Sequence, residues 1–240
     1  YNIYKIYYFT NSLDIISFMK RSKKKQIVIV GAGLIGSTTA IALASKGFDV
    51  TVVDGAKHSD RIKRNKGRTY ALSRTSKNLL FNLGLWDPKK LNVSPIKNIV
   101  LSTKKDSNDL IRHLAEFNGE SSSIDPSSYM IEDFHLRNTL ASEINKNKKI
   151  QLLDSSEVIQ DETNSVETKI MLSDKSSIST EILIISDGRE SDFAKRLNKR
   201  FFSKSYKQVA IVGNLSHDNA HNFTAHQIFL SGGPLAILPL

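Results

Sequence analysis

Ile27-Val28-Ile29-Val30 runs directly into Gly31-Ala32-Gly33-Leu34-Ile35-Gly36, and a stretch of small and apolar residues follows. This is G-x-G-x-x-G set between a strand and a helix, a spacing suited to holding a pyrophosphate. Gly31 makes the tight turn, Gly33 lets the backbone approach the phosphates, and Gly36 lets helix and strand pack closely. The N-terminus of the helix that follows presents free N–H groups and the positive end of its dipole to the anion. Asp54 closes the next strand, where a carboxylate bonds a ribose hydroxyl and would repel a 2′-phosphate. The implied chemistry is binding of an ADP-containing dinucleotide. These residues alone leave FAD and NAD both open.

Other residues bear on the chemistry less directly. Asp187-Gly188 follows an apolar run, Glu181–Ile185, expected to be a buried strand, and could be a ligand contact or only a turn. Arg68 has the guanidinium suited to two-pronged phosphate contact, but it sits in a lysine-rich stretch where a solvated arginine is the alternative. His221 and His226 have neither helical spacing nor an acidic partner, so they read as loop histidines and no metal site is expected. With no cysteine in the chain, disulfides, thiol catalysis, iron–sulfur clusters and cysteine-ligated zinc are excluded.

The elements that must position these residues can be placed by pattern. Gln26–Val30 and Val50–Val53 read as strands, with a helix over Ser37–Ser45 between them and Gly47 as its stop, making one βαβ unit. Thr75–Leu83 reads as a helix closed by Gly84. Ile96–Thr103 alternates like a strand, with Leu110–Phe117 as its hairpin partner across a polar turn. Leu136, Leu140 and Ile144 make a helical stripe. Strands are expected at Ile150–Leu153, Glu157–Gln160 and Val166–Leu172, and an alternating region from Gln208 to the end.

The net charge of +10 goes with many Asn, Ile and Ser, which suggests compositional bias; no nucleic-acid partner is expected. Tyr1–Phe18 is broken by Lys5, Asn11 and Asp14 and falls short of the roughly 18 apolar residues that a membrane span needs. It is expected to be an extension read through from upstream, with translation starting at Met19; a membrane-surface anchor is the rival. Lys20–Lys25 is expected to be a solvated flank, with lipid head groups as the alternative.

Four segments resemble one family. They are the Gly-rich unit; Arg68-Thr69-Tyr70-Ala71-Leu72-Ser73 with Leu83-Gly84-Leu85-Trp86; Asp187-Gly188 with Ser191; and Gln208-Val209-Ala210 through His221 to Gly233-Pro234-Leu235-Ala236-Ile237-Leu238-Pro239. Together they resemble the FAD-dependent aromatic hydroxylases of ubiquinone biosynthesis (the UbiH, UbiF and VisC group), relatives of p-hydroxybenzoate hydroxylase. In that family Asp54 is usually Glu, Ser186 usually Ala, Asp133 tends to be Asn near the flavin's ribityl chain, and Gln227 is often Glu.

The resemblance implies an α/β fold, with a Rossmann-like FAD-binding domain and an inserted or adjacent β-rich substrate domain. The FAD-binding part would span 25–94 and 129–200. The substrate-domain strands would span 95–128 and 205–240, with 1–18 as an extension. Implied cofactor contacts are Gly31, Gly33, Leu34, Ile35, Gly36, Asp54, Arg68, Asp133, Asp187 and Gly188, with Pro234 and Leu235 on the substrate side.

The implied activity is hydroxylation of a polyprenyl-substituted phenolic ring, using FAD, NAD(P)H and O2. No side chain is assigned a catalytic role, because the cofactor does the oxygen chemistry. The implied location is the cytoplasm, with a peripheral contact to the inner membrane or to other ubiquinone-pathway enzymes. Another FAD-dependent oxidoreductase, or an inactive dinucleotide-binding fragment, are the alternatives.

Overall fold

The computed structural model describes residues 27–57, 60, 67–104, 111–118, 126, 128–188, 191, 193, 195 and 204–240. The Tyr1–Phe18 extension, Met19, the Lys20–Lys25 flank and the polar turn at 105–108 lie outside the described residues. The chain divides into two compact units, 1–64 with 140–208 and 65–139 with 209–240. Residues 65–94 and 129–139, expected alongside the Gly-rich unit, therefore group with the second unit.

The first unit is built on a parallel sheet of β1 (Ile27–Val30), β2 (Val50–Val53), β8 (Ile150–Leu153) and β12 (Ile182–Ile185), in the order β12-β1-β2-β8. β1 and β2 are buried along their whole length, which is why they read as continuous apolar runs without alternation. β12 is only half-buried because it lies at an edge of this sheet, where a fully buried strand had been expected. Helix α1 (Leu34–Ser45) joins β1 to β2 and packs its small residues Gly36, Ser37, Ala40 and Ala44 inward. It stops at Gly47, whose φ of +92° is a conformation that glycine adopts without strain.

Three antiparallel strands, β9 (Val158–Thr163), β10 (Thr168–Leu172) and β11 (Ser177–Thr180), complete the described sheets of this unit. Ile170 and Leu172 of β10 close the core over Val28 and Val53.

The second unit holds two sheets. In one, β7 (Ser128–Glu132) lies between β3 (Thr69–Ser73) and β4 (Ser94–Ile96), all antiparallel. In the other, β5 (Asn98–Lys104) pairs with β6 (Ile111–Asn118) as the expected hairpin, and also with β13 (Thr224–Leu230), which pairs in turn with β14 (Gly233–Ile237). Helix α2 (Arg74–Asn82) is capped by the Ser73 hydroxyl, which accepts the Ser76 N–H, and the short α3 (Pro88–Leu91) is capped by Asp87. Helix α4 (Asp133–Lys146) follows β7 and buries the Leu136, Leu140 and Ile144 stripe. Trp86 packs edge-on against Tyr129 at 5.2 Å, an anchor within this unit.

The region from Gln208 departs from expectation. No strand forms before Thr224, and Val209 and Ile211 are 93% and 98% exposed. Their alternation is of strand type, but the alternating pattern makes a strand only where a neighbour supplies the hydrogen bonds.

Candidate functional site

The register of the parallel sheet determines the geometry of the site. Val30, Val53, Leu153 and Ile185 are level at the C-terminal ends of their strands, so Gly31, Asp54 and Ser186 leave the sheet in one row. Strand β1 is the point from which the chain passes to β2 on one side and is flanked much later by β12 on the other. Such a switch in strand order opens a crevice beyond the carboxyl ends of an α/β sheet.

Three turns line this edge. In the first, Gly31 has φ +104°, and a Cβ there would stand 2.5 Å from the Ser186 carbonyl oxygen. A Cβ on Gly36 would stand 1.8 Å from the Gly31 carbonyl oxygen, so helix and turn touch backbone to backbone. Gly33 differs, since a Cβ there meets nothing within 4 Å among the described residues. It caps α1, which has no side-chain cap bond and no acidic residue in its first turn. The N–H groups of the first turn, including those of Leu34 and Ile35, have no partner within the helix, and the dipole's positive end is not offset by a first-turn carboxylate. A diphosphate suits that site.

In the second turn Asp54 is 3% exposed, with Oδ2 accepting the Ala32 N–H at 2.5 Å and Oδ1 accepting the Ala56 N–H at 2.8 Å. Its first task is thus to staple the Gly-rich turn to the end of β2. Each carboxylate oxygen can accept more than one hydrogen bond, so this anchoring is compatible with a bond from a ribose hydroxyl.

The third turn, Ser186-Asp187-Gly188, was legible as a motif, but the part played by Ser186 was not. Its hydroxyl shares its one proton between the carbonyls of Val30 at 3.0 Å and Gly31 at 3.1 Å, tying this turn to the first. Asp187 Oδ1 is buried and, among the described residues, has no hydrogen-bond partner. A buried acceptor left unsatisfied is costly, and a ligand hydroxyl would relieve it. Asp187→Ala should therefore weaken binding of the FAD that the resemblance implies by about 10- to 100-fold, the worth of one charge-assisted bond. It should not lower the melting temperature of the cofactor-free chain, because no protein bond to Oδ1 is lost. Flavin fluorescence titration and thermal unfolding measure the two; unchanged affinity would make the turn structural only.

Arg68 and Asp133 form a separate cluster in the second unit. Asp133 is fully buried, its Oδ2 accepts from Arg137 Nε at 2.5 Å, and its backbone N–H donates to the Arg68 carbonyl at 2.8 Å. Its Oδ1 has no partner at hydrogen-bond distance among the described residues. The Arg68 guanidinium stands 5.1 Å from the centre of the Tyr70 ring. Burial raises the Tyr70 phenol above its ordinary value, and the nearby Asp133 carboxylate, as acceptor and as charge, pushes the same way against Arg68 and Arg137. Sequence reasoning missed Tyr70 and Arg137 as site residues. The signal for Arg137 was its place four residues after Asp133 on one helix.

The pleat separates the two residues expected on the substrate side. Leu235 pairs with Ile228 and shares a face with Ile237, whereas Pro234 pairs with Phe229 on the other face. Leu235 and Ile237 are both half-exposed and form a small apolar surface. His226 lies in β13, not in a loop as expected, while His221 accepts the Phe223 N–H in the turn before it. Among the described residues no group of three or more His, Asp or Glu could hold a metal, and no helix is long and apolar enough to cross a membrane.

A family model described as an FAD binding domain matches residues 24–230, which takes in all three turns and both units. The chain belongs to this FAD-binding family. FAD is accordingly its cofactor, and the chain fits it: an uncapped helix start for the diphosphate, open space at Gly33 and a buried acceptor at Asp187.

The chain is 29% identical to the ubiquinone hydroxylase UbiL of Rhodospirillum rubrum, over 91% of this chain and 50% of that protein. It is 25% identical to the ubiquinone hydroxylase UbiM of Neisseria meningitidis, over 91% of this chain and 48% of that one. It thus spans about half the length of the curated relatives it matches. Among solved structures it resembles the flavin-dependent monooxygenase PieE in complex with FAD and substrate. That match has 19% identity and a TM-score of 0.56, over 74% of this chain and 32% of that one, and it bears on the fold.

Proposed function

We propose that the chain is the cofactor-binding portion of an FAD-dependent, NAD(P)H-consuming monooxygenase that hydroxylates a polyprenyl-substituted phenolic ring in ubiquinone biosynthesis. The observation that carries this reading is the match along nine-tenths of the chain to ubiquinone hydroxylases. The flavin, when bound, supplies two-electron reduction by NAD(P)H and the activation of O2.

The chain's own residues hold and orient that cofactor. The N–H groups from Gly33 through Ile35 receive the diphosphate, Asp54 fixes the turn and offers a lone pair to the adenosine ribose, and Asp187 accepts from a hydroxyl of the flavin side. Arg68 serves the pyrophosphate. Asp133, neutralised by Arg137, serves the ribityl chain better than a phosphate, because it is itself an anion. Leu235 and Ile237 supply apolar surface for a greasy ring, which suits an enzyme working at the membrane surface.

The test uses the protein from its complete reading frame, given FAD, NAD(P)H, a prenylated phenol and isotopically labelled O2. One labelled oxygen should appear in the ring, detected by mass spectrometry. NAD(P)H oxidation with no labelled ring product would overturn the hydroxylase reading while leaving the FAD site intact.

A further inference from the structure

Ser186 has no part in the family resemblance, which expects alanine there, yet it makes two bonds at the centre of the site. Its backbone N–H donates to the Val30 carbonyl at 2.7 Å, the ordinary continuation of the β12–β1 ladder. Its hydroxyl reaches the same carbonyl and goes one residue further, to Gly31, whose φ of +104° turns its carbonyl away from the strand direction. A Cβ on Gly36 would come within 2.6 Å of this hydroxyl, so Ser186, Gly31 and Gly36 occupy one tightly packed point. Asp54 holds the same turn from the β2 side through the Ala32 N–H.

We propose that Ser186 is a positioning residue for the cofactor. Its hydroxyl locks the turn bearing Asp187 onto the Gly-rich turn, so that the buried Asp187 oxygen and the diphosphate-binding N–H groups are presented at a fixed separation. The effect is preorganisation. Two turns on neighbouring strands that are already tied need not be ordered when the ligand binds, and less affinity is spent on fixing them. On the β2 side the Gly31 N–H donates to the Val53 carbonyl at 2.7 Å, whereas on the β12 side the backbone ladder stops at Val30 and the Ser186 hydroxyl alone carries the tie on to Gly31. This proposal rests on the FAD-site reading above and adds to it the coupling between its two turns.

The experiment is a double-mutant cycle on FAD affinity, read by quenching of flavin fluorescence, with Ser186→Ala, Asp187→Asn and the pair. Ser186→Ala should weaken FAD binding by about five- to tenfold, the worth of one ordinary hydrogen bond. In the Asp187→Asn background the same change should cost less than half as much, because the group that it positions is already impaired. A merely structural serine would lower the melting temperature and give additive effects on affinity. Ser186→Thr, which keeps the hydroxyl, should return affinity to within about twofold of the parent.

Additive single effects, or Ser186→Ala within twofold of the parent, would overturn the clamp while the FAD site stood. A parent protein that takes up no FAD would overturn the site and the clamp together. If Ser186→Ala failed to fold, Ser186→Thr with parental melting temperature but tenfold weaker FAD binding would equally overturn a role for the hydroxyl.

Discussion

Gly33→Val should cost this protein its flavin, with affinity down on the order of 100-fold or more, while the cofactor-free chain melts where the parent does. The backbone at Gly33 has φ −68° and ψ −176°, a conformation open to any residue, and an added Cβ meets no atom of the described residues within 4 Å. A valine Cβ there meets none of the described residues and enters the space in front of the helix. That space is where the diphosphate approaches the first N–H groups. Loss of two charge-assisted bonds at about 1.5–3 kcal/mol each accounts for the magnitude.

Gly36→Ala is the matching control. Its Cβ would lie 1.8 Å from the Gly31 carbonyl oxygen, so helix and turn must part, at a cost of about 1–3 kcal/mol or more. Fluorescence titration and thermal unfolding should therefore move in opposite patterns for the two variants. Full flavin occupancy in Gly33→Val would refute the assignment of this turn to the diphosphate.

Arg137→Gln should destabilise the folded chain by about 3–5 kcal/mol, because it leaves the fully buried Asp133 carboxyl without its cation. Asp133→Asn should be milder, since the Arg137 side chain retains 14% exposure and keeps some access to solvent. The double variant Asp133→Asn/Arg137→Gln should recover most of the loss, the mark of two groups that matter chiefly to each other. Denaturant unfolding of the three variants measures this. If Arg137→Gln cost under about 1 kcal/mol, the pair would not be mutually dependent. The pair also accounts for an acid at a position where the resembling hydroxylases carry a neutral Asn, because Arg137 cancels the added charge within the same helix.

Much of the first unit could be read directly. A strand, three spaced glycines and a small-residue helix state a βα turn almost without context, since each glycine answers a local steric demand and the period of α1 is internal to it. Asp54 and Asp187-Gly188 could be assigned to strand ends for the same reason, because apolar runs buried in a parallel sheet announce where they stop. Elements whose stability lies in partners were less visible. β3 and β7 are short, carry polar residues at their outer positions, and exist because the 55 residues of separation between Ser73 and Ser128 are closed by pairing. Residues 209–215 show the reverse: strand-like alternation without a strand, because none of the described residues pairs with them.

Within the site, the sequence by itself determined which residue types meet a dinucleotide, through the glycine spacing and the acid that follows the second strand. Only the tertiary structure decided how those residues are used. It gave both oxygens of Asp54 to backbone N–H groups, left one buried oxygen of Asp187 without a partner among the described residues, and neutralised Asp133 with Arg137. It also split Pro234 from Leu235 across the two faces of a strand, and set the Ser186 hydroxyl between two turns 155 residues apart. The reason is physical. A spacing rule specifies a backbone path, whereas a hydrogen bond or a burial depends on atoms that arrive from remote parts of the chain, and their arrival is settled by strand register.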